Sequence, residues 1–159
     1  MKLKLLMTLL TVIISLNSFA QHADHSHNHN HHKNEIGISV SPVWFVKESV
    51  FSYGIHLHYA RTIADSKFGL GLGVERIFDE HKHNTLGLEM IYRPIERLSI
   101  SISPGIAAED GNPKVHFAFH QETTYEFEIK KFHIGPALEF AFDREDIHIS
   151  FGIHIGYGF

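Results

Sequence analysis

Six histidines, His22, His25, His27, His29, His31 and His32, fall within eleven residues near the start of this 159-residue chain, with Asp24 among them. Imidazole nitrogen is a good donor to Zn²⁺, Cu²⁺ and Ni²⁺, and gaps of one to three residues let a pliant segment wrap several rings around one ion. Ala23 is the one apolar residue of the run, so the segment cannot bury a core and is expected to be disordered until it binds. Two more histidines, His56 and His58, sit two apart in an alternating stretch. Both rings therefore leave one face of a strand, where a carboxylate from a neighbour would complete an ion site. The chemistry implied is capture of a divalent transition metal, with Zn²⁺, Cu²⁺ or Ni²⁺ as the bound ion. The same tract also reads as a solvated low-complexity linker, and composition alone leaves both open.

Other chemistries find less. The chain has no cysteine, which removes disulfides, thiolate ligands and thiol nucleophiles together. Ser150 lies two residues after His148, with Glu139 one segment earlier, a set that would suit a lipid-modifying barrel enzyme. No enzyme motif surrounds it, so no enzymatic activity is predicted. Gly69-Leu70-Gly71-Leu72-Gly73 lacks the G-x-G-x-x-G spacing of a phosphate loop.

The residues that must position these groups are organised in three parts. Residues 1–20 carry Lys2 and Lys4, then an apolar run to Leu16, then Ser18 and Ala20 at the spacing of a cleavage site, the pattern of an export signal. Residues 21–34 hold the histidine tract, and 35–159 form the remaining domain. Without Lys2 and Lys4 the mature chain keeps 12 basic and 18 acidic side chains, a formal charge of −6, so nucleic acid is not an expected partner. No window of 18 apolar residues follows the signal, which excludes helical spans.

Eight segments of the body alternate with period two: 35–44, 49–61, 67–78, 85–93, 98–106, 114–129, 132–142 and 147–159. Each is close to or above the roughly 9–11 residues that a tilted membrane-spanning strand needs. The connections are short enough for hairpins. Those on the side of the termini carry net positive charge. Those on the other side carry Glu48, Asp79, Glu80, Glu109, Asp110, Asp143, Glu145 and Asp146 against Lys47, Lys82, Lys114 and Arg144, a charge of −4. Pro42, Pro104 and Pro136 fall inside these segments; each removes a backbone donor, so bulges or strand ends are expected there.

The last segment reads I-H-I-S-F-G-I-H-I-G-Y-G-F, apolar at every odd position and ending on Phe159. It resembles the C-terminal strand of bacterial outer-membrane β-barrels, whose terminal Phe and alternating apolar residues are read by the barrel-assembly machinery. The resemblance implies an all-β fold, an eight-stranded antiparallel up-and-down transmembrane β-barrel. It also implies residence in the outer membrane, with outer-membrane lipids and the assembly machinery as partners and the N-terminal segment in the periplasm.

In such a barrel the bulky apolar parity faces lipid, and the Gly-, Ser- and His-bearing parity faces the lumen. That places His56, His58, His133, His148 and His154 inward with Glu75, Glu89, Glu126, Glu128 and Glu139, and His116 and His120 near the outer rim. An eight-stranded lumen is about filled by its own side chains, so open conduction is not expected, whereas Gly-to-Ser changes on this parity should be tolerated. The leading functional expectation is a barrel that binds or handles divalent metal ions through the N-terminal histidines. The alternatives are a structural or adhesion-type barrel without transport, and the lipid-modifying enzyme.

Overall fold

A run in which every second residue is apolar cannot settle as a helix, and short polar links between such runs favour hairpins. The chain follows that logic. The computed structural model describes residues 32–64, 66–144 and 146–159, so the export signal and His22, His25, His27, His29 and His31 lie outside the described residues. The strands are β1 (Asn34–Phe45), β2 (Val50–Thr62), β3 (Phe68–Ile77), β4 (His83–Ile95), β5 (Leu98–Glu109), β6 (Val115–Tyr125), β7 (Phe127–Ile129), β8 (Phe132–Phe142) and β9 (Ile147–Gly158). Consecutive strands pair antiparallel. Both β6 and β7 pair with β8, so they are two pieces of one barrel strand parted at Glu126, and the barrel has eight strands.

Closure comes from β1 against β9. Asn34 N donates to Phe159 O at 3.0 Å and Phe159 N donates back to Asn34 O at 2.8 Å, leaving no open edge where the first and last strands meet. We call the end that carries Asn34 and Phe159 the inner end, and the opposite end the outer end.

The prolines are accommodated differently from the expectation. At Pro42 the pairing to β9 lapses between Val40–Ile153 and Val43–Ser150, and resumes in the same register. At Pro104 the pairing to β4 lapses between Ile102–Met90 and Gly105–Gly87, again without a slip. Pro136 and Gly135 lie opposite Tyr125 and Glu126, where the pairing of β8 passes from β6 to β7 without a slip, and the Glu126 amide donates on the β5 side to Arg97 O at 2.8 Å. A missing N–H costs each strand a rung on one side only, so the register survives. The one register shift lies between Tyr92 and Ile95, around Pro94, beside the β4–β5 turn.

The outside is apolar. Ile36, Ile38 and Val40 of β1, Leu70, Leu72 and Val74 of β3, and Phe151, Ile153 and Ile155 of β9 are all exposed, Phe151 at 63%. Rings cluster near both ends: Trp44 with Phe51 at 4.5 Å on the outer side, and Phe68 with Tyr92 at 5.1 Å and Phe132 with Tyr157 at 4.9 Å on the inner side. Between them the surface is mainly aliphatic, with Gln121 and Thr123 of β6 as a polar pair in which the amide donates to the hydroxyl at 2.8 Å. An apolar belt between aromatic girdles, on strands of 10–13 residues, is the surface that a bilayer wets. The buried apolar residues are few; Val43, Phe45 and Ile77 gather at the outer mouth, and Ile91 lies in the inner half. What fills the barrel is polar.

Candidate functional site

The inward parity projects two layers of ionisable groups into the lumen. In the inner half Glu35, first on the inward face of β1, is the hub. One of its oxygens, Oε1, lies 3.2 Å from His58 Nε2 and 3.5 Å from His133 Nε2, and the other accepts from Arg93 Nη2 at 3.0 Å. His58, His154 and His133 stack as a column, with ring centres 5.2 Å apart at each step. His154 also bonds Ser39 Oγ at 3.0 Å and His133 Nε2 at 3.1 Å. Arg93 is the one buried basic side chain of the Lys and Arg type among the described residues.

The outer half is built from Glu75, Glu89, Glu122 and Glu139 with His56, His120 and His148. His56 Nε2 stands 3.0 Å from Glu89 Oε1, close enough to pair as charges yet not aligned for a hydrogen bond. Glu122 accepts from Ser39 Oγ at 3.4 Å and Thr124 Oγ1 at 3.3 Å. His120 Nδ1 is hydrogen-bonded to Glu139 Oε1, and Ser150 Oγ donates to Glu139 Oε2 at 3.0 Å. Two small voids of about 10 Å³ remain, one in each half, each with space for about one water-sized sphere. At the outer rim Asp79 accepts from the backbone amides of His81 and His83 at 3.2 and 3.1 Å, and from His83 Nδ1 at 2.9 Å. Burial would raise the Asp79 carboxyl, but these bonds and the nearby imidazole outweigh it and hold the group below its usual range.

Some expectations hold here and others are corrected. His56 and His58 share a face as expected, with ring centres 5.6 Å apart, and Glu89 of β4 brings a carboxylate within 4.8 Å of a donor atom on each, while His58 Nε2 is also held by Glu35. His32 lies at the inner end, where its carbonyl accepts from Thr62 Oγ1 at 3.4 Å. Glu128 is exposed instead of inward. The Ser150 hydroxyl donates to Glu139 and not to His148, whose Nε2 has no hydrogen-bond partner, so the Ser150–His148 pairing that a serine nucleophile needs is not formed. Nor is the glycine parity free space. A Cβ at Gly156 would fall on the His133 ring, and one at Gly135 on the Tyr125 carbonyl, so the tolerance expected of Gly-to-Ser changes is wrong: these strands lack side chains because neighbours already fill the room.

The largest correction concerns the N-terminal histidines. Among the described residues the groupings with metal-like geometry are Glu35–His133–His154, His56–His58–Glu89 and Glu75–His120–His148. All lie inside the barrel; of residues 22–32 only His32 is described, and it belongs to none of them. Glu35, Glu122, His120 and the pairing of Glu75 with His148 were not foreseen as a set. Parity would have found Glu35 and Glu122, since each shares the phase of its strand's inward residues, but not which groups meet across the lumen.

No protein-family model and no curated protein matches this chain. Solved structures do. Ail, the attachment invasion locus protein of Yersinia pestis, superimposes with a TM-score of 0.59 at 14% identity, over 81% of this chain and 99% of that one. Neisserial surface protein A gives 0.59 at 9% identity, over 79% and 96%. The N-terminal β-barrel domain of Pseudomonas aeruginosa OprF gives 0.51 at 16% identity, over 82% and 100%. At such identities the likeness is one of fold, that of small outer-membrane barrels. Together with the lumenal location of the histidine clusters, it overturns the reading of the protein as a metal handler working through its N-terminal segment.

Proposed function

We propose that this protein is a small outer-membrane barrel of structural or adhesion type that moves no solute through its lumen and acts through its rim. The observation that carries this reading is the packed lumen, with interlocked Glu, His, Arg and Ser side chains along its length and Val43, Phe45 and Ile77 across its outer mouth. An eight-stranded barrel has room inside for about its own side chains and little else. The outer connections span only 46–49, 78–82, 110–114 and 143–146, so any partner meets a low rim. That rim is acidic, with a charge of −4 over the residues named above. Ail has been solved with the heparin analogue sucrose octasulfate; the charge here favours a cationic partner over such a polyanion.

On this reading residues 1–20 are removed on export, the histidine-bearing segment 21–34 leads into the barrel from the periplasmic side, and Phe159 contributes to recognition by the assembly machinery. The test is reconstitution of the mature protein, recovered from the outer membrane, into planar lipid bilayers. The expected result is no stepwise ion conductance above that of protein-free lipid. Reproducible unitary currents at neutral pH, absent without protein, would overturn the plugged-barrel reading.

A further inference from the structure

The outer half of the lumen contains a trio that the plugged-barrel reading does not use: Glu75 of β3, His120 of β6 and His148 of β9. Their donor atoms converge. Glu75 Oε2 lies 3.5 Å from His120 Nδ1 and 4.0 Å from His148 Nε2, and one donor atom from each residue falls within 4.8 Å of the other two. Ligands about 2.0–2.1 Å from a tetrahedral Zn²⁺ stand roughly 3.3–3.4 Å apart, so closing on an ion asks the most distant pair to approach by about 1.4 Å at most. All three side chains are more than nine-tenths buried, at 7%, 8% and 4% exposure.

The second observation is what these atoms lack. Glu75 Oε2 and His148 Nε2 are both sealed from solvent and both without a hydrogen bond. Buried acceptors and donors are almost always satisfied, and here two unsatisfied ones belong to one cluster and point at each other. A void of about 10 Å³ adjoins it, lined by Glu75, His120 and Glu139 among others.

We propose that Glu75, His120 and His148 bind one divalent transition cation of the Zn²⁺ class inside the barrel, with His120 Nδ1 passing from its bond with Glu139 to the ion and Glu139 serving as a fourth donor. The ion ties together β3, β6 and β9, three strands that are not neighbours in the sheet, and satisfies both orphaned atoms at once. Ser150, by donating to Glu139 Oε2, fixes that carboxylate from outside the cluster, a common support for carboxylate ligands.

The other two groupings are poorer choices. Glu35–His133–His154 already holds the Arg93 guanidinium on Glu35, and His133 and His154 are bonded to each other, so a cation there would meet a fixed positive charge. In His56–His58–Glu89, His58 Nε2 is engaged at 3.2 Å by Glu35, which also holds Arg93, whereas the Glu139 that engages His120 Nδ1 is free of Lys and Arg among the described residues and can itself join an ion. The outer half has four inward carboxylates and no inward Lys or Arg among the described residues, a field that favours a cation.

The experiment uses the full mature chain, folded in detergent and stripped with chelator. Its tail histidines are removed by His22→Asn, His25→Asn, His27→Asn, His29→Asn, His31→Asn and His32→Asn, so that only the barrel binds. Co²⁺ is the probe, and the faster migration of the unboiled barrel on gels reports folding. Expected are one Co²⁺ retained per chain through gel filtration, the visible absorption of four-coordinate cobalt, and at least tenfold weaker retention in Glu75→Gln and in His148→Asn. X-ray absorption on the tail-substituted chain needs no lumenal variant, and should show two imidazoles on the metal even if those variants misfold. No retained cobalt, a six-coordinate spectrum, equal retention in both folded variants, or an imidazole number other than two would each overturn the proposal. None of these outcomes bears on conductance, so failure here leaves the plugged-barrel reading standing.

Discussion

The inner and outer halves of the lumen solve one problem in opposite ways. Both must bury carboxylates among strands whose outer faces are apolar. In the inner half the problem is met with a permanent cation: Arg93 bonds Glu35 at 3.0 Å, and a column of three imidazoles leans on the same carboxylate. In the outer half four carboxylates have imidazoles as their basic partners and no Lys or Arg among the described residues, and Glu75 Oε2, Glu89 Oε1, His56 Nδ1 and His148 Nε2 go without hydrogen bonds. The inner half is not fully satisfied either, since Arg93 Nη1 has no partner and Glu126 adds a buried carboxylate beside Glu35, but it holds a permanent cation that the outer half lacks. The difference teaches where structure ends and binding capacity begins. Groups that balance one another hold strands together; groups that do not are the ones able to hold something else.

The sharpest way to break this comparison is to remove the inner cation. Arg93→Met leaves Glu35 buried with only imidazoles as basic partners, and taking one partner from a buried ion pair costs about 3–5 kcal/mol. Urea unfolding of the barrel in lipid vesicles should show that loss, and a change under 1 kcal/mol would mean that Arg93 is not what balances the inner half.

Next in size is crowding of the imidazole column. Gly156→Ser places a side chain on the His133 ring, and overpacking of this kind costs about 1–3 kcal/mol. The same unfolding assay should find it clearly less stable than the parent chain. Equal stability would show that the column repacks and that the inner half is looser than its contacts suggest.

The outer half should respond the other way. Glu75→Gln in metal-free protein removes a buried charge whose Oε2 has no bond, and supplies an amide able to donate to His148 Nε2. A new hydrogen bond of that kind is worth about 0.5–1.5 kcal/mol, so stability should hold or rise slightly. A fall comparable to that of Arg93→Met would show the two halves to be alike.

The smallest effect belongs to the outer rim. Burial would raise the Asp146 carboxyl, but the backbone amides of Lys47, Ile147 and Glu48, at 2.9, 2.6 and 3.2 Å, together with the nearby Lys47 charge, outweigh it and hold the group below its usual range. A depressed folded-state pKa contributes stability that is present above the unfolded value of about 3.9 and is lost as pH falls through the folded value. Hydrogen-exchange protection of the Lys47 and Glu48 amides should therefore drop at acid pH in the parent chain, and be low and pH-independent in Asp146→Asn. Unchanged protection in that variant would remove Asp146 from the account of the rim.

Much of the fold was legible before any coordinates. The alternation in 132–142 matches β8 residue for residue, and the lipid-facing parity of Ile36, Leu72 and Ile153 is the observed exposed face. Strand number, hairpin order and the shared end of the termini follow from counting segments and short links. The prolines were legible only as trouble: a single chain shows that Pro42 lacks a donor, but not that the loss falls on the β9 side while the β2 side stays paired. The site was legible as a list of inward groups, and the weight placed on the N-terminal histidines came from their closeness in sequence, which is a poor guide to ligand sets in a barrel.

What the sequence alone determined is whatever depends on neighbours along the chain. The period of two assigns each side chain a face, and apolar bulk on one parity with Gly, Ser and His on the other decides which face is wetted by hydrocarbon. The tertiary structure decided which inward groups meet. Glu75, His120 and His148 come from β3, β6 and β9, separated by 45 and 28 residues, and their convergence depends on how far the strands are staggered when the sheet closes. That stagger is set by the whole ring of pairings together, so no single strand encodes it. Interior space was decided the same way: Gly156 reads as room until the ring of His133, carried in from β8, is found to occupy it.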